Sequence, residues 1–374
     1  MLTRRVTQRA VAVLTYALAC SPTIAQRSLT QAPEPPGQLV DIGGYRLHLY
    51  CIGRGTPTIV LIPGAGDYSF DWSLVQPALA KETRTCSYDR AGYAWSDVGP
   101  NPRTMRQEAA EVRRLLERVG IDGPVLLVGH SLGGLIARVY AGEYPEGVVG
   151  IALVDPTSED TKLMYQGKIV RVRESAQARP IPAARVGADT KLPTATAGEM
   201  SEFAAMQRLM GKPSIEPPYD RLPMDAQRVR LWAEADTIKR PAIQEDFWPE
   251  ELQAMHDARL RNPRPLGDTP LLILIGSREE PRPEGLTPED VAQFAEVQRE
   301  KRKQKEGLVQ LSSNSVAVSD PRSGHHIQLD DPDWLTKMLT GELDAVRRNL
   351  ELKRLKTSDG KPFFSGGPSD LMAK

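Results

Sequence analysis

Short apolar segments alternate with helical segments along this chain. "TPTIVLIPGAG", "PVLLVGHS" and "GVVGIALVDP" each contain a run of apolar residues next to Gly or Pro, as in buried strands. Between the first two, "TMRQEAAEVRRLLERVG" places its apolar residues on one helical face, namely Met105, Ala109, Val112, Leu116 and Val119. Strands that alternate with helices predict a mostly parallel sheet with helices on both faces.

The alternation predicts where the core begins, lapses and resumes. "GQLVDIGG" and "YRLHLYCIG" flank a Gly-Gly turn and predict an antiparallel hairpin at the start of the core. From 157 to 266 no buried strand is predicted, so this stretch is interpreted as a helical cap insertion. The sheet resumes at "LLILI" and "NSVAVS". The predicted core therefore spans 38–156 and 267–350, and 351–374 is predicted to be a disordered tail.

The N-terminus has the composition of a secretory signal peptide. Basic residues (Arg4, Arg5 and Arg9) precede an apolar segment that ends at Cys20, and small residues lead to a cleavage site after Ala25. We therefore expect a signal peptide over 1–25, a Pro-rich linker over 26–37, and export to the periplasm or medium. Two alternatives are a cytosolic protein with a frayed N-terminal helix and a lipid anchor on Cys20.

Charge and motif content exclude several classes of function. Among the 374 residues, 48 Lys and Arg balance 48 Asp and Glu, so no excess positive charge is available for nucleic-acid phosphates. No apolar run reaches the length of a membrane span. Neither a nucleotide-binding glycine motif after a strand nor His/Cys spacing typical of metal ligands is present, so no cofactor and no metal are expected.

A candidate nucleophile follows one of the predicted strands. Gly129-His130-Ser131-Leu132-Gly133 is a G-x-S-x-G sequence between an apolar strand and a helix. This context is typical of a nucleophile elbow, in which a strained turn exposes the serine hydroxyl and small neighbours let strand and helix pass closely. Ser131 is the predicted nucleophile. Serine is a weak nucleophile at its ordinary pKa, so a base is required.

Histidine supplies the candidate base. His48 lies in the predicted hairpin, His130 in the elbow and His256 in the insertion. Only His325 and His326 follow the last predicted strand, where a base would complete the chain order serine, acid, histidine.

Over residues 38–345 the chain resembles the α/β-hydrolase family, in the segments "LIPGAG", "YDRAGYAWSD", "GHSLGG", "ALVDP" and "SGHHIQLDDP". The resemblance implies an eight-stranded, mostly parallel sheet with helices on both faces and a helical cap after the sixth strand. It also implies that the histidine after Ser-Gly, His325, is the base, with His326 as a neighbour. The implied oxyanion donors are the N–H groups of Ala65 and Leu132, although Pro63 stands where relatives often have His.

The resemblance leaves two candidates for the triad acid. The usual position, a few residues after the seventh strand, holds Glu279, with Glu280 as a bystander. Some members use an acid after the sixth strand, where this chain has Asp155. We favour Asp155, because "SREEPRPE" is charge-rich and broken by proline, as in an exposed loop.

Two cysteines, Cys51 and Cys86, remain after removal of a signal peptide. An even pair in an exported protein is compatible with one disulfide, and two separate buried thiols are the alternative. The resemblance implies that their strands are antiparallel neighbours, which favours the disulfide.

Together these residues predict an exported serine hydrolase that cleaves a small-molecule carboxylic ester through an acyl-enzyme. The alternatives are an amidase or peptidase, a cofactor-free lyase or perhydrolase on the same triad, and a non-catalytic binding protein on this fold.

Overall fold

The computed structural model describes residues 32–364, except 166–167, 189, 212, 237–238, 244–246 and 280–286. The predicted signal peptide with Cys20, the first part of the predicted linker, and Glu280 lie outside the described residues. So do residues 365–374 of the predicted tail.

An eight-stranded sheet forms the centre of the molecule. Its spatial order is β1-β2-β4-β3-β5-β6-β9-β10, which confirms the predicted fold class. The first three strands in this order pair antiparallel and the remaining pairs are parallel. The strands are β1 (Gln38–Asp41), β2 (Arg46–Ile52), β3 (Thr58–Ile62), β4 (Thr85–Tyr88), β5 (Val125–His130), β6 (Val148–Val154), β9 (Leu271–Gly276) and β10 (Ser315–Asp320), with β7 (Lys162–Tyr165) and β8 (Lys168–Arg171) outside this sheet.

Helices cover both faces of the sheet. Side chains alternate along each strand, so Leu127 of β5 packs with α2 and α3, whereas Leu126 and Val128 pack with α1 and α9. Among the described residues, no helix is long and apolar enough to cross a membrane. The helices are α1 (Gln76–Leu79), α2 (Met105–Arg118), α3 (Leu132–Glu143), α4 (Ala197–Met210), α5 (Met224–Glu234), α6 (Trp248–Arg261), α7 (Pro288–Gly307), α8 (Ile327–Asp330) and α9 (Pro332–Arg347).

The insertion between β6 and β9 contains α4, α5 and α6, preceded by the β7–β8 hairpin. The sequence pattern missed this hairpin, because its strands have four residues each and Leu163 is half exposed, so no buried run marks them. Ala226 of α5 and Leu222 before it pack on Tyr68 and Trp95 of the core. This contact holds that part of the insertion above the carboxyl ends of the strands.

The prediction of a disordered tail is wrong for residues 351–364. Leu352, Leu355 and Phe364 are buried in the apolar cluster that includes α9. Polar and glycine residues dominate the segment, but these three apolar side chains suffice to fix it against the core.

A disulfide joins Cys51 and Cys86, which confirms the favoured pairing. The two residues lie directly opposite each other in the antiparallel pair β2–β4. With a sequence separation of 35 residues, loss of chain entropy in the unfolded state contributes about 4 kcal/mol of stability.

Candidate active site

Ser131 lies at a strained turn between β5 and α3. Its backbone has φ 51° and ψ −117°, a conformation that residues with a side chain rarely adopt. A Cβ on Gly129 would lie 2.3 Å from the Gly133 carbonyl oxygen, and a Cβ on Gly133 would lie 2.3 Å from that of Ile62. Both glycines are therefore required for strand and helix to approach, as the elbow sequence predicted.

His325 connects Ser131 to a carboxylate. Its Nε2 lies 3.0 Å from Ser131 Oγ, and its Nδ1 lies 2.7 Å from Asp155 Oδ2. Both distances are within hydrogen-bond range. Glu279 is exposed after β9 and forms no hydrogen bond or ion pair with His325 in the described part of the chain. The structure thus brings together Ser131, His325 and Asp155, and leaves Glu279 outside.

Asp155 is buried and accepts three hydrogen bonds. Oδ1 accepts the Gly276 N–H at 2.9 Å, while Oδ2 faces both His325 and Lys305 Nζ, the latter at 2.6 Å. Burial opposes ionisation, but Lys305 and His325 outweigh it and hold the pKa of Asp155 below its ordinary value. No sequence signal identified Lys305, since α7 approaches Asp155 only through the tertiary fold.

The imidazole of His325 favours its neutral form. Burial lowers the pKa of His325 below its ordinary value of 6.5, and the neighbouring His130 and His326 act in the same direction, against the hydrogen bond that its Nδ1–H donates to Asp155. A neutral ring can accept a proton from the serine hydroxyl at neutral pH.

The loop after β3 lies beside Ser131. A Cβ on Gly64 would lie 3.1 Å from Ser131 Cβ. In the described residues, neither the Ala65 nor the Leu132 N–H donates a hydrogen bond to another protein group. The Gly64 N–H donates to Asp67 Oδ2 at 3.2 Å, so Asp67 braces this loop, although Pro63 offers no bracing side chain.

Asp67 also belongs to a buried cluster with two histidines and a tyrosine of the insertion. His130 Nδ1 lies 2.5 Å from Asp67 Oδ2, and His130 Nε2 lies 2.8 Å from the His325 carbonyl oxygen. Both ring nitrogens of His130 face acceptors, an arrangement that the two N–H groups of an imidazolium satisfy. Burial opposes this charge, but Asp67 outweighs it and raises the pKa of His130. Tyr219 Oη joins the cluster 2.8 Å from His326 Nε2.

In the described part of the chain, one group of side chains could hold a metal ion by its composition. It consists of Asp67, His130 and His326, whose potential ligand atoms lie within 4.8 Å of one another. Ligand atoms about 2.0–2.1 Å from a tetrahedral ion are about 3.3 Å apart. The 2.5 Å separation of His130 Nδ1 and Asp67 Oδ2 instead matches a hydrogen-bonded ion pair. The prediction that the protein uses no metal stays a prediction.

Comparison with known proteins agrees with this architecture. The sequence model of the alpha/beta hydrolase family matches residues 59–337. The chain belongs to this family. The match confirms the resemblance found in the sequence and, with it, the prediction of an α/β-hydrolase enzyme.

Individual relatives of this hydrolase are distant. A protein of Gibberella zeae described as an AB hydrolase superfamily protein is 25% identical over 316 residues, which cover 80% of this chain and 87% of that protein. Matches to two other curated relatives span only 19% and 37% of their lengths. Among solved structures, a thermophilic esterase from Thermogutta terrifontis has a TM-score of 0.52 at 19% identity, covering 81% of this chain and 94% of the esterase. The enol-lactonase from Burkholderia xenovorans LB400 has a TM-score of 0.52 at 18% identity, covering 82% and 100%.

Proposed function

We propose that the protein is an exported serine hydrolase that cleaves a carboxylic ester of a small molecule. The observation that carries the proposal is the position of His325, with one ring nitrogen 3.0 Å from Ser131 Oγ and the other 2.7 Å from Asp155. A nucleophile, a base and a group that orients the base are the three parts that acyl transfer requires.

In the first half-reaction, Ser131 Oγ attacks the ester carbonyl carbon while His325 Nε2 takes the hydroxyl proton. Asp155 holds the Nδ1–H tautomer and stabilises the imidazolium. The N–H groups of Ala65 and Leu132 donate hydrogen bonds to the carbonyl oxygen as it becomes an oxyanion. The tetrahedral intermediate then expels the alcohol, which takes the proton from His325, and the acyl group remains on Ser131.

In the second half-reaction, His325 removes a proton from water, and the hydroxide attacks the acyl carbon. The new tetrahedral intermediate expels Ser131 Oγ, which regains its proton from His325, and the carboxylic acid leaves. Acid–base balance is restored after each turnover, so no cofactor is consumed.

An ester is proposed over an amide, because an alcohol leaves with less help from a proton donor than an amine does. The solved neighbours named as an esterase and an enol-lactonase support this substrate class. Export is supported by the Cys51–Cys86 disulfide, since disulfides persist in oxidising compartments.

The test is a hydrolysis screen with p-nitrophenyl esters from acetate to dodecanoate and with the matching p-nitroanilides. We expect ester turnover by the wild type, loss of at least about 10³-fold in Ser131→Ala, and no change in Ser201→Ala, an exposed serine of α4. Faster cleavage of the anilides would favour the amidase alternative. No ester cleavage by the wild type, or full activity in Ser131→Ala, would refute the proposal.

A further inference from the structure

Lys305 contacts the carboxylate that orients the base. It lies in the last turn of α7, a helix between β9 and β10, whereas Asp155 follows β6. Lys305 Nζ is 2.6 Å from Asp155 Oδ2, the same oxygen that lies 2.7 Å from His325 Nδ1. The side chains of Lys305 and Asp155 are only 17% and 3% exposed, so water screens this ion pair weakly.

We propose that Lys305 is a positioning residue that acts through Asp155 to lower the proton affinity of His325, so that His325 remains an effective base in mildly acidic solution. The proposal rests on the serine hydrolase function proposed above. It extends the hydrogen-bonded chain from Ser131, His325 and Asp155 to a fourth side chain.

The physical reason is competition for one negative charge. A carboxylate with a histidine as its only charged partner stabilises the imidazolium with its full charge. Here the ammonium of Lys305 shares the oxygen with His325, which reduces the negative potential at the ring. The charge of Lys305 also keeps Asp155 ionised despite its burial. Nearby charges of this kind shift a pKa by about 1–3 units.

Other charged groups also act on His325, since His130 and His326 lower its pKa, but in the described residues neither of them bonds to Asp155, whose partners are His325, Lys305 and the Gly276 N–H. His130 is itself paired with Asp67, and Arg278, whose guanidinium contacts Asp330, is balanced by it. Charged and titratable groups surround His325 from several parts of the fold: Asp67 after β3, behind His326; His130 at the end of β5; Asp155 after β6; Arg278 and Glu279 after β9; His326 beside it; and the α7 residues that line the shared cavity, Arg299, Lys301, Arg302, Lys303, Lys305 and Glu306.

Lys301 provides a matched control on the same helix. Lys301 and Lys305 both line a cavity of about 720 Å³ that also adjoins Asp155 and His325, and both are partly buried. In the described structure, Lys301 forms no ion pair with Asp155 or another acidic residue. Removal of its charge therefore changes the charge of the cavity wall without changing the hydrogen bonds of Asp155.

The first experiment is the pH profile of kcat/KM for a p-nitrophenyl ester with Lys305→Met, Lys305→Arg and Lys301→Met. We expect Lys305→Met to raise the midpoint of the acidic limb by about one pH unit. Lys305→Arg keeps a positive charge at position 305, and Lys301→Met leaves the ion pair between Lys305 and Asp155 intact. Both variants are therefore expected to keep the wild-type midpoint. If Lys305→Met lowers the plateau of kcat/KM without moving the midpoint, the proposal is overturned. That result would mean that Lys305 has only a structural role.

The second experiment does not depend on activity. The imidazole of His325 is titrated by NMR in protein with ¹⁵N-labelled histidine, and its signals are assigned with His325→Gln. We expect the pKa of His325 to be about one unit higher in Lys305→Met than in the wild type. If Lys305→Met shows this shift but the wild type cleaves no ester, the hydrolase function alone is refuted. An active wild type without the shift would refute the role of Lys305 alone.

Discussion

Replacement of Asp155 by asparagine is expected to abolish most of the activity, whereas replacement of Glu279 by glutamine is not. Both changes convert a carboxylate into an amide of nearly the same shape. Asp155 is buried and contacts His325, while Glu279 is exposed and does not. The pair therefore compares the two acids that the sequence offered, with the same chemical change at each.

The expected magnitude follows from the hydrogen bonds of Asp155. His325 and Lys305 both point at Oδ2, and the Gly276 N–H points at Oδ1. In Asp155→Asn, the side-chain amide can be oriented in two ways, and in each of them its NH₂ group faces one of these donors. At the Oδ2 position it also forces His325 into the wrong tautomer, and in both orientations the negative charge that stabilises the imidazolium is lost. We expect kcat to fall by about 10³- to 10⁴-fold, equivalent to about 4–5.5 kcal/mol.

The assay is the steady-state kcat and KM on the best ester from the screen, together with the thermal midpoint of each variant. Glu279→Gln is expected to stay within about threefold of the wild type. The reasoning is refuted if Asp155→Asn retains a tenth of the activity, or if Glu279→Gln is the more damaged of the two folded variants.

Three further changes test other parts of the structure. The double variant Cys51→Ala/Cys86→Ala is expected to lower the free energy of unfolding by about 4 kcal/mol in urea titrations. Glu342→Leu is expected to raise it by about 1–3 kcal/mol, because Glu342 is fully buried and neither carboxyl oxygen has a hydrogen-bond partner in the described residues. Burial raises the pKa of Glu342, so its contribution to stability is most favourable at low pH, where the side chain is protonated, and is lost as pH rises. The gain in stability from leucine is therefore expected to be larger near pH 8 than near pH 4. Asp67→Ala removes the acceptor of the Gly64 N–H, and we expect kcat to fall about 10- to 100-fold with KM little changed.

For each of these variants, a specific result would contradict the expectation. Reduction of the wild type should reproduce the loss seen in the double cysteine variant, and an unchanged unfolding midpoint would contradict the entropy argument. A destabilised Glu342→Leu would mean that the carboxyl group has a partner worth more than its burial costs. An Asp67→Ala variant with raised KM and normal kcat would assign Asp67 to substrate binding rather than to the loop beside Ser131.

Local sequence patterns were enough to predict the strands of the sheet and the turn at Ser131. A strand such as "VLLVGH" is buried on both faces, so its apolar run indicates both its structure and its place in the sheet. Gly129 and Gly133 are sterically required, so the elbow is visible in the sequence itself. Chain order left His325 and His326 as candidate bases, and the family resemblance selected His325; the structure brings it within 3.0 Å of Ser131.

Features that depend on distant contacts were less accessible. The choice between Asp155 and Glu279 depends on which loop approaches His325, and sequence character favoured Asp155 only narrowly. Lys305 lies 150 residues from Asp155 in the chain, and nothing in a basic helical segment distinguishes it from its neighbours. Residues 351–364 were misjudged because three apolar side chains in a polar segment carry little pattern, although they pack against α9.

The most direct test of the central claim is covalent labelling of the purified wild type with a fluorophosphonate, followed by peptide mass spectrometry. Such probes react with a serine whose hydroxyl is activated by a neighbouring base. The account predicts one phosphonylated residue, Ser131, with labelling abolished in Ser131→Ala and strongly slowed in His325→Gln. An unlabelled wild type, or a label on another serine, would contradict it.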